Sequence, residues 1–326
     1  MEWINVAIAA DVMGKPAWVW LVFIGIVLTL LVLDLGVLQK RMTAIGVRQS
    51  LLLSAFYIGA GLLFGAWIWA SQGAESGMEY LTGFFIEKSL SLDNVFVISL
   101  IFGYFAVPAA YQHRVLFWGI LGVIVMRAVM IGVGAAVVTE YSWVLYFFGA
   151  FLIFTGIKML APGEAAHDVA GSKLLGFIRR HMRVVDEYHG NRFFVRLKDA
   201  NTGKMASYAT PLFLALLMVE AADLVFAVDS VPAIFAITTD PYIVYTSNIF
   251  AILGLRALYF ALAAMVHRFY ALKYALALVL VFIGGKIFWN QIVGKLDPAI
   301  SLSVTLALIA GGVLFSLARP APATTA

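Results

Sequence analysis

The chain alternates long apolar runs with short polar connections, and the runs are too long for the core of a soluble domain. Residues 17–38, 49–70, 77–104, 115–138, 143–160, 210–238, 242–266, 269–289 and 298–317 are each predominantly apolar. About 20 such residues in helical form cross the roughly 30 Å hydrocarbon layer of a bilayer. The pattern therefore predicts an all-α polytopic membrane protein of about nine transmembrane helices. One connection, 161–209, is long enough to hold structure of its own. Within it, residues 173–185 read as an amphipathic helix on the inner membrane surface, with Leu174, Leu175, Phe177, Ile178 and Met182 toward lipid. Residues 193–197 and 205–208 read as a short hairpin.

Composition sharpens this. Hydrophobic residues make up 63% of the chain and charged residues 12%, about half the charge of an ordinary soluble domain. Cysteine is absent, which excludes disulfides, thiolate metal sites and thiol nucleophiles. The net charge of +4 is distributed by connection. Lys40, Arg41 and Arg48, then Arg114, then eight basic residues between Lys173 and Lys204, then Arg268 and Arg319 fall on one side. The alternate connections carry Glu75, Glu79, Glu140 and Asp240, with Lys295 beside Asp297 the one neutral case. Positive connections stay in the cytoplasm. The expected orientation is N-terminus outside and C-terminus inside a bacterial cytoplasmic membrane. The basic excess is thus a topology signal, and no nucleic-acid partner is expected. Met1–Pro16 carries Glu2 and Asp11 against Lys15 alone and has no small-residue cleavage site, so a cleaved signal peptide is not expected.

The chain also repeats itself. Glu87-Lys88-Ser89-Leu90-Ser91-Leu92-Asp93-Asn94-Val95 in the third span matches Asp223-Leu224-Val225-Phe226-Ala227-Val228-Asp229-Ser230-Val231 in the sixth: acid, five residues, Asp, small polar, Val. Arg127-Ala128 in the fourth span matches Arg256-Ala257 in the seventh, and Gly156-Ile157-Lys158 in the fifth matches Gly284-Gly285-Lys286 in the eighth. The order is the same and the offset nearly constant. Each unit holds three spans, an odd number, so the second copy must be inverted, an arrangement that places transporter sites near the midplane between repeats. The expected organisation is helices 1–2 over residues 1–76, repeat 1 over 77–160, a basic loop over 161–209, repeat 2 over 210–290, and a last helix with a tail over 291–326.

Asp34, Glu87, Lys88, Asp93, Arg127, Glu220, Asp223, Asp229 and Arg256 all fall inside apolar spans. Each central charge costs roughly 2.5–3.5 kcal/mol on insertion scales, about 20–30 kcal/mol together if uncompensated. Arg127, Arg256 and Lys88 are expected to balance part of the acid cluster, leaving an excess of carboxylates for protons or a metal ion. Lys158, and Lys286 at the opposite face, are expected to snorkel to the interface. Asn94, Ser230, Asn248 and Ser91 add neutral oxygens. An all-oxygen set without cysteine suits Mn²⁺, Mg²⁺ or Ca²⁺ and gives Cu(I) and Zn²⁺ little to prefer. Residues six apart on a straight helix diverge by about 120°. Convergence of Glu87 with Asp93, and of Asp223 with Asp229, therefore predicts helix breaks near Asp93–Asn94 and Asp229–Ser230.

Three blocks are also recognisable. Phe85 to Phe96, containing Glu87-Lys88-Ser89-Leu90-Ser91-Leu92-Asp93-Asn94, resembles the first conserved block of the TerC family of bacterial membrane proteins. Val219 to Thr238, and Ser247 to Phe260 with Asn248 and Arg256, resemble its second and third. The resemblance runs from about Tyr80 to Lys286, no motif position departs, and the basic central loop is similar to the Alx-type branch. It implies inverted three-helix repeats, as in the lysine-exporter superfamily, and Mn²⁺ export from the cytoplasm. By the same resemblance Glu87, Asp93, Asn94, Glu220, Asp223, Asp229, Ser230 and Asn248 are ion-site candidates. With no nucleotide-binding domain, protons are the natural coupling ion. Two other readings stay open: a membrane partner that metallates exported proteins or joins a stress complex, and transport of another cation such as Ca²⁺. No nucleophile–base pair points to an enzyme, and no organic cofactor is expected.

Overall fold

A computed structural model describes residues 10–38, 47–160, 173–198, 204–262 and 271–319, with the side chains at 34–38, 47, 92–93 and 173–174 outside the description. The described residues are all-α apart from two small hairpins. The first hairpin pairs β1 (Asp11–Val12) with β2 (Lys15–Pro16). The helices α1 (Ala17–Leu38), α2 (Val47–Gln72), α3 (Ala74–Tyr104), α4 (Ala109–Glu140) and α5 (Val144–Leu160) follow. The connecting segment forms α6 (Lys173–His181), then β3 (Phe194–Lys198) antiparallel to β4 (Met205–Ala209). The second half holds α7 (Pro211–Phe235), α8 (Pro241–Ile252), α9 (Leu255–Leu262), α10 (Leu272–Ile292) and α11 (Pro298–Ala318). Among the described residues, six helical stretches are long and apolar enough to cross a membrane, and two shorter apolar helices join them. α3 is long enough too, but carries Glu75, Glu79, Glu87, Lys88 and Asp93.

Local chemistry sets the helix starts. Thr210, Asp240 and Asp297 each precede a proline at the first helical position, where its missing N–H costs nothing. The Asp240 carboxylate accepts from the Tyr242 N–H at 2.9 Å, and that of Asp297 from the Ala299 N–H at 2.8 Å.

The two halves interlock reciprocally. α3 packs on α8 while α7 packs on α4, and α3 also crosses α7. α5 and α10 lie backbone to backbone. A Cβ on Gly156 would stand 2.6 Å from the Ala277 carbonyl, and one on Gly284 would stand 2.6 Å from the Gly149 carbonyl. Those four positions correspond between the two sequence repeats, so the contact is the same on both sides. Small residues at such a crossing let helices approach where hydrophobic burial contributes little.

Three expectations are corrected. α3 runs unbroken through Asp93–Asn94 and α7 through Asp229–Ser230; Pro232 only brings α7 to its end one turn later at Phe235. The break lies instead between α8 and α9. Leu253 leaves the helical region and Gly254 has φ +81°. A Cβ there would also meet the Tyr57 side chain at 2.6 Å, so both backbone and space demand glycine. Gly254→Ala is expected to cost about 1–3 kcal/mol, read as a lower Tm of the detergent-purified protein.

The second correction concerns α6. Leu175 and Ile178 are buried in the main core, and Met182 packs against it, rather than facing lipid; Phe177 alone is exposed, and the side chain of Leu174 lies outside the described residues. The third is Lys286, which is buried at 6% exposure instead of snorkelling. Lys158 is exposed as expected.

Candidate functional site

Four helices deliver one polar centre inside the apolar bundle. α3 contributes Glu87 and Asn94, α4 contributes Arg127, α7 contributes Asp223 and Ser230, and α8 contributes Asn248. All six are buried. Residues seven apart, such as Glu87 and Asn94 or Asp223 and Ser230, lie nearly two full turns apart on one face. That spacing is why an unbroken α3 and α7 can each present two ligands to the same point.

Arg127 organises the centre. Its guanidinium is 1% exposed. One terminal nitrogen donates to the Glu87 carboxylate, to Ser230 Oγ at 3.0 Å and to Asn248 Oδ1 at 3.0 Å. The other donates to Asp223 Oδ1 at 3.2 Å, and Nε donates to Asp223 Oδ2 at 3.4 Å. Asn94 Nδ2 donates to the same Asp223 Oδ1 at 3.2 Å. The fork of a guanidinium matches a carboxylate in just this two-point way. With both acids ionised, two negative charges face one positive charge, and the centre keeps an excess of one.

The donor types fit a hard divalent cation: two carboxylates, two amide oxygens and a hydroxyl. In this arrangement Arg127 occupies the space between the carboxylates. Among the described residues, no three acidic, histidine or cysteine side chains come together as a ready metal cage. Among the described residues, Asn94 Oδ1 is a buried acceptor without a hydrogen-bond partner. Beside it lies a cavity of about 20 Å³, walled by Asn94, Asp223 and Arg256 among apolar side chains of α3, α4, α7 and α9. That is room for about one water molecule or a bare ion.

The remaining candidates lie elsewhere. Glu220, one turn before Asp223 on α7, is half-buried with its carboxylate laid against Gly122 of α4. A Cβ on Gly122 would be 2.0 Å from Glu220 Oε1. Gly122→Ala should therefore swing the flexible carboxylate aside at little cost in stability. The expected outcome is an unchanged Tm of the detergent-purified protein; a markedly lowered Tm would show that the Glu220 carboxylate is fixed in the notch.

Asp229 faces away from the centre, accepting from Thr155 Oγ1 at 3.4 Å near Lys158. Asp93 lies on α3, and its side chain, like that of Asp34, is outside the described residues. Ser91 is buried but turns back to its own helix, donating to the Lys88 carbonyl at 2.6 Å. Arg256 is buried on the cavity wall rather than within the Arg127 centre. Lys88, expected to balance carboxylates, bonds instead to the carbonyls of Ala251 at 2.9 Å and Leu253 at 3.3 Å.

Two features were absent from the sequence reading. One is the notch at Gly122, which no spacing rule reveals. The other is an open vestibule of about 600 Å³ where the ends of α3, α7 and α10 meet the first hairpin. Glu75, Glu79 and Asp240 line it, with Lys15 paired to Asp240 at 3.0 Å and Lys295 to Glu75.

Residues 72–322 match the model of the integral membrane protein TerC family. The chain is 50% identical over 300 residues to an uncharacterized membrane protein of Rickettsia bellii, covering 92% of this chain and 97% of that one. It is 44% identical over 312 residues to an uncharacterized membrane protein of Myxococcus xanthus, covering 96% and 95%. A Shigella flexneri protein, named as a candidate membrane-bound redox modulator, Alx, is 45% identical over 285 residues, covering 85% and 87%. No solved structure matches. With most of its length inside the family match, and with relatives this similar across nearly their whole chains, this multi-pass membrane protein belongs to the TerC family.

Proposed function

We propose that the chain exports a divalent cation, Mn²⁺ first among them, from the bacterial cytoplasm through the Arg127 centre. The observation that carries this reading is a buried pair of carboxylates, Glu87 and Asp223, with amide and hydroxyl oxygens beside them, held together across the two halves by the Arg127 guanidinium. Charge inside a membrane is costly, and its default meaning is an ion or proton path.

Nine spans, an outside N-terminus and two inverted repeats complete the proposal. The reciprocal packing of α3 on α8 and α7 on α4, and the matched Gly156 and Gly284 contacts, support the repeats. In that orientation the cavity beside Asn94 lies on the cytoplasmic side of Arg127 and the vestibule on the outer side. An entering ion takes Asp223 and the free Asn94 oxygen, while Arg127 retains Glu87, Ser230 and Asn248. Moving a divalent cation outward against an inside-negative potential costs about 4.6 kcal/mol per 100 mV. Inward protons competing for the same carboxylates supply the counterflow.

The test is total cell Mn by mass spectrometry after a Mn²⁺ challenge in an exporter-deficient host. Wild type should lower Mn relative to empty vector, and Asp223→Asn, which removes the carboxylate paired with Arg127, at matched membrane levels should not. Equal Mn in wild type and vector would overturn the choice of ion, and the Ca, Mg and Zn readings of the same samples would name its replacement.

The name of the Shigella flexneri relative favours a second reading, a role in redox balance. This chain has no cysteine, so such a role would run through metal supplied to exported enzymes rather than through thiols of its own. Carboxylate-to-amide changes would then leave cell Mn unchanged while lowering the metal content of exported proteins.

A further inference from the structure

The break between α8 and α9 exposes backbone that a continuous helix would have satisfied. The last carbonyls of α8 have no partner within the helix, and Ala251 and Leu253 are buried at 0% and 2% exposure. Water is scarce at this depth, and an unmet carbonyl in such surroundings costs several kcal/mol. The end of α8 also carries the negative pole of its helix dipole. Gly254, at φ +81° against Tyr57, holds the turn. Into this pole reaches the ammonium of Lys88 from α3, donating to the Ala251 and Leu253 oxygens. The stem of Lys88 starts beside Glu87, yet the head turns to backbone oxygens on another helix.

We infer that the carbonyls of Ala251 and Leu253 form a monovalent-cation site at the break of α8, and that Lys88 fills it as a tethered cation. Half-helix ends inside membranes hold alkali ions by this same donor set of carbonyls at a negative pole. Lys88 supplies the charge covalently, so the bent α8–α9 arrangement persists without any ion drawn from solution. The site is separate from the Arg127 centre in its ligands and in its cation. The inference stands whatever the Arg127 centre transports.

Vacating the site should reveal it. In Lys88→Ala, a free Na⁺, K⁺ or NH₄⁺ has room to enter. The purified variant in detergent should melt lower than wild type in choline chloride. Raising Na⁺, K⁺ or NH₄⁺ at constant ionic strength should then raise its Tm by on the order of 3 °C once the ion is about tenfold above its Kd. At least one small cation should act where choline does not. Wild type should show no such difference between salts. Lys88→Met refills the space with an apolar stem, so it should be destabilised yet indifferent to the cation. Lys88→Ser leaves room and adds an oxygen, and it is the second vacated variant if Lys88→Ala yields no monodisperse protein. Equal Tm values for a vacated variant in choline and in all three small cations would overturn the inference. So would a wild type that responds to them as the vacated variant does.

Discussion

Arg127→Met is expected to destabilise the protein by about 3–5 kcal/mol and to abolish ion export. The loss follows from what remains: Glu87 and Asp223 stay buried, close together and ionisable, with their shared cation gone. Breaking a buried pair costs that much because one side is left uncompensated, whereas removing all the charges together is often neutral. The triple variant Arg127→Met, Glu87→Gln, Asp223→Asn should therefore recover most of the lost Tm in detergent. It should recover no export in proteoliposomes loaded with Mn²⁺. That pattern separates the two roles of the centre. If Arg127 served packing alone, its single variant would be as stable as the triple one. If the acids served stability alone, the triple variant would transport. A triple variant that stays as unstable as Arg127→Met would sink the charge argument altogether.

Much of this architecture was legible before any coordinates. Apolar run lengths place α1 to α5, α7, α10 and α11 to within a turn or two and read α8 and α9 as a single span, because a bilayer imposes a length that soluble folds do not. The hairpin at 194–209 followed from alternation between turn residues. The members of the centre could be named because buried charge is expensive and therefore conspicuous: Glu87, Asn94, Arg127, Asp223, Ser230 and Asn248 all meet.

What spacing could not supply was direction. Asp223 and Asp229 looked like equals in the second repeat, yet Asp229 turns to Thr155 while Asp223 turns to Arg127. A six-residue step on an unbroken helix separates them by about 120°, and the expectation of broken helices had been raised to avoid that consequence. The true break hid at Leu253–Gly254. A single glycine in an apolar run is as often a packing notch as a turn, and only φ and the neighbouring Tyr57 distinguish the two. Lys88 was misassigned for a related reason. It was expected to balance part of the acid cluster, but it follows Glu87 directly, and adjacent helical residues point about 100° apart.

Asp223→Asn should leave the protein folded and close to wild type in Tm while lowering Mn²⁺ efflux at least tenfold. The arithmetic of the centre requires this combination. With both acids ionised, Arg127 balances one and the centre carries a net charge of minus one, which attracts a further cation. Removing Asp223 leaves Arg127 matched to Glu87, with Ser230 and Asn248 still accepting from the same nitrogen. The centre becomes neutral, so desolvating its charges costs no more than before, and the incoming ion loses its anionic ligand beside the Asn94 oxygen. Glu87→Gln should behave differently. Glu87 shares its donor with Ser230 and Asn248, whereas Asp223 takes both Nε and the second terminal nitrogen of Arg127. A centre with Asp223 alone is neutral too, but its carboxylate is held at two points by the guanidinium and yields to an ion less readily. Efflux in Glu87→Gln should thus fall and require higher Mn²⁺ for half-maximal rate, while Asp223→Asn should stay inactive at every concentration. Equal concentration dependence in the two variants would mean that the ion does not enter at Asp223.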